Sequence, residues 1–324
     1  MESHRPAPFP ARLRAAASPS ARGFDALLGI LLVAGVACGG DDDRPPGNSD
    51  AGPLPVDASS PADAEGPGED GGSRDAGPAR GLSFLFDYRF DTRGFFDAPE
   101  RRAALEQAGA VWSAILLDDF APIPAGTPVR TRDPENPDAS GMNLDLEAEL
   151  DDVIVFVGCA PVGGRGTARS NHAAAFATIR DAELLGTLME RYGGSDFEPW
   201  SGWISFDCDS LWHFDATPET SDDIPPTAVD FLSTAAHELA HVLGFGTSDA
   251  FDALSGSGAF EGGSAVTLYG GPVPLTPDRV HLDAAVRPEG QSLLMAPSRW
   301  VGTRRAPATL EALVMADIGY EIAP

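Results

Sequence analysis

Hydrophobic residues after position 80 follow two periods, one typical of strands and one typical of helices. Runs rich in aromatic and β-branched residues predict strands at residues 83–90, 152–158, 173–179 and 202–207. Apolar residues at helical spacing, beginning just after Pro99, predict a helix over residues 100–117. Five prolines between residues 121 and 140 instead predict a loop or short edge strands. Strands and helices mixed along one chain in this way predict an α+β fold.

A second predicted helix, over residues 227–245, contains the most informative residues of the chain. His237 and His241 are four residues apart, which places both imidazoles on one face of the helix. Glu238 follows the first histidine, and a random order of this composition would produce the pattern only roughly 0.006 times. Apolar residues occupy most faces of this helix, so the imidazoles should be buried and therefore need partners. A metal ion would supply those partners.

The chemistry of these residues predicts a zinc hydrolase. Neutral imidazoles are ordinary zinc ligands, and a neighbouring glutamate can take a proton from metal-activated water. A catalytic zinc requires three protein ligands and one open position, so a third ligand must lie elsewhere in the chain. Gly244 predicts a turn out of the helix, because glycine readily adopts positive φ. Thr247, which follows the turn, is not a usual zinc ligand.

Residues 237–244, with the sequence HELAHVLG, match the first eight positions of the metzincin zinc-binding pattern. The compact form of that pattern has a histidine where this chain has Thr247. His281, followed fourteen residues later by Met295 in the segment LLMAP, instead resembles the leishmanolysin family, which has a long insertion before its third histidine. Residues 310–320 also resemble the short helix and the Asp-apolar-Gly-aromatic ending that follow the Met-turn in that family.

The resemblance implies a metzincin-like zincin with a twisted mixed sheet, two long helices and an irregular C-terminal subdomain. The implied zinc ligands are His237, His241 and His281. Glu238 would be the general base, Gly244 would turn the chain beneath the metal, and Met295 would form an apolar floor under the imidazoles. The implied activity is that of an endopeptidase, with a protein or peptide substrate between an N-terminal subdomain (about 81–246) and a C-terminal subdomain (about 247–324). The strand at residues 202–207 or the strand at residues 173–179 would be the sheet edge that aligns an extended peptide.

Other residues compete with His281 for the third ligand position. Asp249 follows the predicted turn closely, and Glu261 would produce a site of two histidines and one glutamate. No ligand motif surrounds the remaining histidines, which are His4, His172 and His213. The first belongs to the predicted export signal, and the other two are interpreted as surface or substrate-side histidines. Because Thr247 leaves the compact pattern incomplete, a non-catalytic surface binding lipoprotein of the same fold is the alternative function, and a structural lipoprotein with a merely stabilising zinc is a third.

The N-terminus predicts export. A basic segment precedes the apolar residues 27–37, which are too few to span a bilayer comfortably. Small residues directly before Cys38 resemble a bacterial lipobox, so residues 1–38 are predicted to be a signal that ends in a lipidated cysteine; an ordinary secretory signal is the alternative. Residues 39–80 are acidic and rich in proline, glycine and alanine, which predicts a disordered linker. The predicted product is a bacterial cell-envelope lipoprotein with its catalytic domain at residues 81–324.

Charge and cysteine content narrow the partners further. The formal net charge of −27 argues against nucleic acid and anionic membrane surfaces, which leaves contact with a membrane through the lipid alone. Acidic residues cluster before the second helix at Asp207, Asp209, Asp215, Glu219, Asp222 and Asp223. Their spacing fits no EF-hand, so we interpret them as a solvated loop, with structural Ca²⁺ as the alternative. Export leaves Cys159 and Cys208 as an even pair in an oxidising compartment, where a disulfide is favoured over two buried thiols.

Overall fold

The computed structural model describes residues 36–38, 81–163, 166–173, 179–193, 196–215, 220–297 and 300–324. Its main sheet contains β1 (Val36–Cys38), β2 (Phe84–Asp87), β5 (Val153–Ala160), β6 (Ala168–His172) and β7 (Ser201–Asp207). The strand order is β1-β6-β7-β5-β2. The strands β2, β5 and β7 are parallel, whereas β6 runs antiparallel to both β7 and β1. The sheet is therefore mixed, and apart from β1 the predicted signal and linker lie outside the described residues.

Six helices accompany this sheet within the described residues. They are α1 (Pro99–Ser113), α2 (Ala182–Tyr192), α3 (Phe231–Val242), α4 (Asp249–Ala253), α5 (Gly263–Tyr269) and α6 (Thr309–Asp317). The remaining strands are β3 (Pro128–Thr131), β4 (Met142–Asp145), β8 (Trp212–His213), β9 (Val229–Asp230), β10 (Ser255–Gly256), β11 (Ala259–Phe260) and β12 (Val273–Pro274). None of these helices combines the length and apolar character that crossing a bilayer would require. The predicted α+β class is confirmed at this level.

Both faces of the main sheet are covered. Every residue of β5 is buried, and successive side chains point to opposite faces. Val155 and Val157 pack into the core that contains α1 and α3, whereas Ile154 and Phe156 pack on the other face with Trp203. The sheet is thus the middle layer that supports α3, the helix carrying the histidine pair.

Contacts between α1 and α3 hold these two helices against each other. Trp112 of α1 is fully buried, and its indole Nε1 donates a hydrogen bond to the Ala236 carbonyl at 2.8 Å. All residues of α3 are buried, and its alanines allow neighbouring elements to approach closely. The helix begins at Phe231 rather than at residue 227, because the preceding Val229 and Asp230 pair with β8 and the Asp230 carboxylate caps the helix by accepting from Ser233 N.

The edge of the sheet differs from the sequence-based expectation. Residues 202–207 were one of two candidates for an edge strand that aligns an extended peptide, but β7 lies between β5 and β6 and is therefore internal. Most of the other candidate, residues 173–179, lies outside the described residues. One of the two strands beside β7 is β6, which ends at His172.

The two cysteines of the folded domain form the favoured disulfide. It joins Cys159 at the end of β5 to Cys208 just after β7, with a Cα–Cα distance of 5.1 Å.

Candidate metal centre

Three buried histidines from distant parts of the chain converge at one point. His241 Nε2 lies 3.2 Å from His237 Nε2 and 3.2 Å from His281 Nε2. The three side chains are at most 3% exposed. Two of them lie on α3, and the third follows β12 on an irregular segment of the chain. The structure therefore brings the distal His281 to the helical pair, as the sequence predicted.

Backbone carbonyls orient the two helical imidazoles. His237 Nδ1 lies 2.7 Å from the Leu294 carbonyl oxygen, and His241 Nδ1 lies 2.8 Å from the Phe245 carbonyl oxygen. A carbonyl oxygen can only accept, so both Nδ1 atoms donate and carry the proton. The neutral rings then present their Nε2 lone pairs to each other. Lone pairs at this separation repel, and a cation coordinated by both nitrogens would remove the repulsion.

Burial keeps these rings neutral. It lowers the pKa of His237 to about 4 and that of His281 to about 3, the latter with a further decrease from the neighbouring His237. The pKa of His241 falls well below its usual value, first because of burial and then because of the two adjacent imidazoles. Neutral imidazole is the form that binds a metal ion, so the site is in its metal-binding form at neutral pH.

The donor set fits a tetrahedral transition-metal site. Ligand nitrogens at the usual zinc–nitrogen distance are about 3.3 Å apart in an ideal tetrahedron, close to the 3.2 Å between the Nε2 atoms. Three ligand atoms from His237, His241 and His281 lie within 4.8 Å of one another. Imidazole suits zinc, copper, iron and nickel, so this nitrogen set is compatible with zinc without selecting it over the others. A group of three buried histidines that can hold a metal ion is thus present.

The Glu238 carboxylate lies on the side of α3 that faces the sheet. It is fully buried, and its Oε2 accepts a hydrogen bond from Ser170 Oγ at 2.6 Å. The same hydroxyl lies 3.0 Å from the Glu238 carbonyl oxygen. Because Ser170 belongs to β6, the sheet orients the carboxylate directly. Sequence reasoning did not identify this serine, since no local motif marks a residue 68 positions away in sequence.

Two glycines shape the chain as it leaves α3. Gly244 has φ +99°, and a Cβ there would lie 2.5 Å from the Phe197 ring, so the predicted turn does require glycine. Gly246 has φ +68°, and its Cβ would lie 2.0 Å from the Val280 carbonyl oxygen. The backbone preceding His281 therefore passes directly against this glycine. Sequence reasoning missed Gly246, although its position so soon after Gly244 was a usable signal.

Thr247 occupies the position that would hold a histidine in the compact pattern, and here it has a different role. Its hydroxyl donates to the His241 carbonyl at 2.6 Å, which satisfies one of the free carbonyls at the end of α3. The third imidazole comes from His281, whose backbone N–H donates to Thr276 Oγ1 at 3.2 Å.

The two rival carboxylate ligands lie on the surface. Asp249 begins α4 and is exposed, and Glu261 is also exposed. Neither of these carboxylates joins the group of metal-binding side chains found among the described residues.

The chain around Met295 lies against both ligand-bearing segments. Met295 is fully buried, and its carbonyl accepts from Leu282 N at 2.9 Å, next to His281. Its own N–H donates to Glu311 Oε1, and Glu311 Oε2 accepts from Ala308 N at 2.7 Å. Burial raises the pKa of Glu311 to about 7, while hydrogen bonds from the backbone oppose that rise. Sequence reasoning assigned a role to Met295 but none to Glu311.

The two other described histidines, His172 and His213, are less exposed than the surface interpretation expects. His172 is only 7% exposed, and its ring packs edge-on against Phe197 and near Tyr192. Burial lowers the pKa of His172 to about 4. His213 is partly buried in β8, with Nε2 3.9 Å from Asp223 Oδ1. Both histidines lie at the ends of strands, where their rings pack against neighbouring elements. No sequence motif indicates this packing.

The acidic cluster before α3 is only partly a solvated loop. Asp209, Asp222 and Asp223 are exposed, as expected, and Glu219 lies outside the described residues. Asp207 is buried and accepts from Ser210 Oγ at 2.5 Å. The Asp215 carboxylate is also buried, in contact with Arg304. The expectation of solvation is therefore wrong for Asp207 and Asp215, because each has an internal partner.

Arg304 connects this acidic cluster to the start of α3. Its Nη2 lies 2.7 Å from Asp230 Oδ1 and its Nε lies 3.1 Å from Oδ2, while Nη1 pairs with Asp215. His213, Asp215 and Asp223 also form a group with ligand atoms within 4.8 Å of one another. A guanidinium already in contact with Asp215 disfavours a second cation there. We therefore interpret this group as an ion-pair network that fixes the N-terminus of α3.

No protein-family model matches this chain, and no curated protein matches it. The chemistry of the site is therefore the basis for assigning a function.

Proposed function

We propose that this protein is an exported, zinc-dependent endopeptidase of the metzincin type. The observation that carries the proposal is the convergence of three neutral, buried imidazoles, with His241 Nε2 3.2 Å from the Nε2 atoms of His237 and His281. A buried glutamate, Glu238, follows His237 on the same helix. Zinc, when bound, supplies the Lewis acidity that makes water a nucleophile at neutral pH. The resemblance of residues 237–244, His281 and Met295 to leishmanolysin-like metzincins supports the same activity.

In this proposal the chain's own groups divide the work. The imidazoles of His237, His241 and His281 would hold the metal. Glu238 accepts the proton of the attacking water and donates it to the amine that leaves when the peptide bond breaks. Ser170 orients the Glu238 carboxylate through its hydrogen bond to Oε2. An intact general base would serve no purpose in a purely structural zinc site, which favours catalysis over binding alone.

The decisive experiment combines metal analysis with peptide cleavage by the full-length protein. We expect about one zinc per chain and hydrolysis of an unstructured protein substrate. The Glu238→Ala variant should keep its zinc and lose activity by about 10² to 10⁴-fold, because general acid–base catalysis contributes that much. Glu261→Ala is the matched control, since this exposed glutamate lies outside the group of metal-binding side chains. It should retain both zinc and activity.

Other outcomes separate the alternatives. A wild-type protein that binds zinc but cleaves no peptide would favour the non-catalytic surface binding lipoprotein. A protein that binds no zinc at all would overturn the metal centre itself. The export part of the proposal is tested separately, by labelling cells with a fatty-acid analogue and comparing wild type with Cys38→Ala. Lipid labelling that persists in Cys38→Ala would rule out this cysteine as the lipidation site.

A further inference from the structure

A fully buried carboxylate lies close to the candidate metal centre without contacting a ligand. Glu311 belongs to the first turn of α6 and has no exposed surface. Its two oxygens accept from the N–H groups of Met295 and Ala308. Within the described part of the chain, no basic side chain forms an ion pair with it. Burying a carboxylate is costly, so these backbone hydrogen bonds have to compensate for lost hydration.

Capping of a helix explains only one of these hydrogen bonds. The contact with Ala308 N is the usual reach of a glutamate at the third helical position back to the start of its own helix. The contact with Met295 N spans 16 residues and serves no helix end. It connects α6 to the turn at Leu294 and Met295, which lies beside the histidines.

The turn held by Glu311 contacts both ligand-bearing segments through consecutive carbonyls, and it affects two of the three ligands. The Leu294 carbonyl accepts from His237 Nδ1 at 2.7 Å, which fixes the ring's orientation and leaves its Nε2 free of a proton. The Met295 carbonyl accepts from Leu282 N at 2.9 Å, the residue next to His281. A shift of this one peptide segment would therefore disturb both ligands together. His241 is independent of it, because its Nδ1 donates to Phe245.

We propose that Glu311 is a positioning residue for the metal centre, which acts by fixing the Leu294–Met295 segment and thereby orienting His237 and His281. The inference rests on the proposed metal site. Two acceptor oxygens are essential to this role, because both partners are N–H donors. A glutamine has one acceptor oxygen and would present an amide N–H₂ to one of those donors.

The test is cobalt binding by the full-length protein, since tetrahedral Co²⁺ reports its ligand geometry through visible absorption bands. We expect Glu311→Gln to weaken Co²⁺ binding by about 10- to 100-fold, the usual effect of losing an outer-shell partner, and to change the absorption spectrum. Asp152→Asn is the matched control. Asp152 is also a buried carboxylate that accepts backbone N–H groups, from Ser83 and Phe120, but it contacts no part of the site.

Asp152→Asn should lower the melting temperature comparably while leaving cobalt affinity and spectrum as in wild type. Wild-type cobalt affinity and spectrum in Glu311→Gln would overturn the proposal, and so would an equal loss of affinity in Asp152→Asn. If Glu311→Gln does not fold, Glu311→Asp keeps both acceptor oxygens but shortens their reach, and the same loss of affinity is expected. Wild-type binding by Glu311→Asp would then overturn the proposal.

A second measurement on the metal-free protein separates this inference from the proposed function. Nitrogen-15 spectra of the imidazoles report which ring nitrogen carries the proton. We expect His237 to be protonated on Nδ1 in the wild type and to become a mixture of tautomers in Glu311→Gln. Failure of the wild type to bind any metal would sink the proposed function, whereas an unchanged His237 tautomer in Glu311→Gln would sink the positioning role.

Discussion

The two halves of the candidate metal centre are held by different kinds of structure. His237 and His241 lie one turn apart on α3, so the spacing of their imidazoles follows from helix geometry. His281 lies on an irregular segment and reaches the helix because Val280 passes against Gly246 and Leu282 hydrogen-bonds Met295. The helical half is therefore determined locally, whereas the distal half depends on contacts between residues far apart in sequence.

This difference predicts where the site is vulnerable. The hydrogen bonds of a buried helix persist when one distant contact is lost, but an irregular segment has few other bonds to keep it in place. Changes in the distal half should therefore alter metal binding while α3 stays folded. Changes that affect every buried histidine should instead alter the stability of the whole domain.

The largest effect is expected from acid, which acts on both halves. Burial lowers the pKa of His172, His237, His241 and His281, so the folded state binds fewer protons than the unfolded state between about pH 4 and 6.5. Stability contributed by each neutral ring is present above pH 6.5 and is lost as the pH falls. From pH 7 to pH 5 the loss is about 2 kcal/mol for a histidine whose pKa is lowered to about 4, as in His172 and His237.

Carboxyl groups with raised pKa values oppose this trend, and burial raises the pKa of Glu198 among them. Burial raises the pKa of Glu311 to about 7 and that of Asp118 to about 6, so their contribution to stability increases as the pH falls from neutral. They should offset part of the histidine effect, and solvent screening limits the contribution of the half-buried Asp118, so a net loss of stability remains between pH 7 and pH 5. Urea unfolding of the metal-free protein at pH 7 and pH 5 measures this difference. Equal free energies of unfolding at the two pH values would contradict the buried, neutral histidines.

The second effect tests the distal half alone. We expect His281→Ala to weaken zinc binding by more than about 100-fold, because a catalytic site needs all three protein ligands. Circular dichroism should show that the helices remain intact, since α3 is held by its own packing against α1 and the sheet. Competition with a coloured chelator measures the affinity.

Asp249→Ala provides the control for this assignment. Asp249 was a rival third ligand in the sequence, but its side chain is exposed at the start of α4. Its removal should leave zinc affinity unchanged. The assignment of His281 is wrong if His281→Ala binds zinc normally while Asp249→Ala does not.

The same division between local and distant contacts explains what the sequence could predict. The histidine pair was predictable because helix periodicity places both imidazoles on one face, and Glu238 was predictable because it is part of the same short motif. Gly244 was predictable because few residues other than glycine adopt a positive φ. His281 and Met295 were identified by resemblance rather than by spacing. Their convergence on the helix required a chain path that no local pattern encodes.

Residues that act through the backbone or from another element left no such signal. Ser170 contacts Glu238 only because β6 lies beside α3, and Glu311 contacts Met295 only because α6 packs under the turn. The start of α3 was also predicted four residues too early, since the cap at Asp230 competes with apolar periodicity. Each of these features depends on tertiary packing, which a single sequence does not show.

The smallest effect on metal binding is expected from a test of the close approach that joins the two halves. Gly246 has φ +68°, and a Cβ there would lie 2.0 Å from the Val280 carbonyl oxygen. Gly258 has φ +89°, but a Cβ there meets nothing within 4 Å. Alanine at either position should incur the left-handed backbone strain of about 1–2 kcal/mol. Only alanine at position 246 should also overlap with the Val280 carbonyl, which should lower the free energy of unfolding by about 1–3 kcal/mol more.

Urea unfolding and zinc titration of Gly246→Ala and Gly258→Ala together separate the effect of backbone strain from the effect of displacing Val280 and His281. Both variants should be less stable than wild type, and Gly246→Ala the less stable of the two. Only Gly246→Ala should also bind zinc more weakly, because relief of the overlap moves Val280 and with it His281. If the two variants lose equal stability and bind zinc equally well, the distal half does not depend on this approach, and the hydrogen bond between Leu282 and Met295 would have to position His281 on its own.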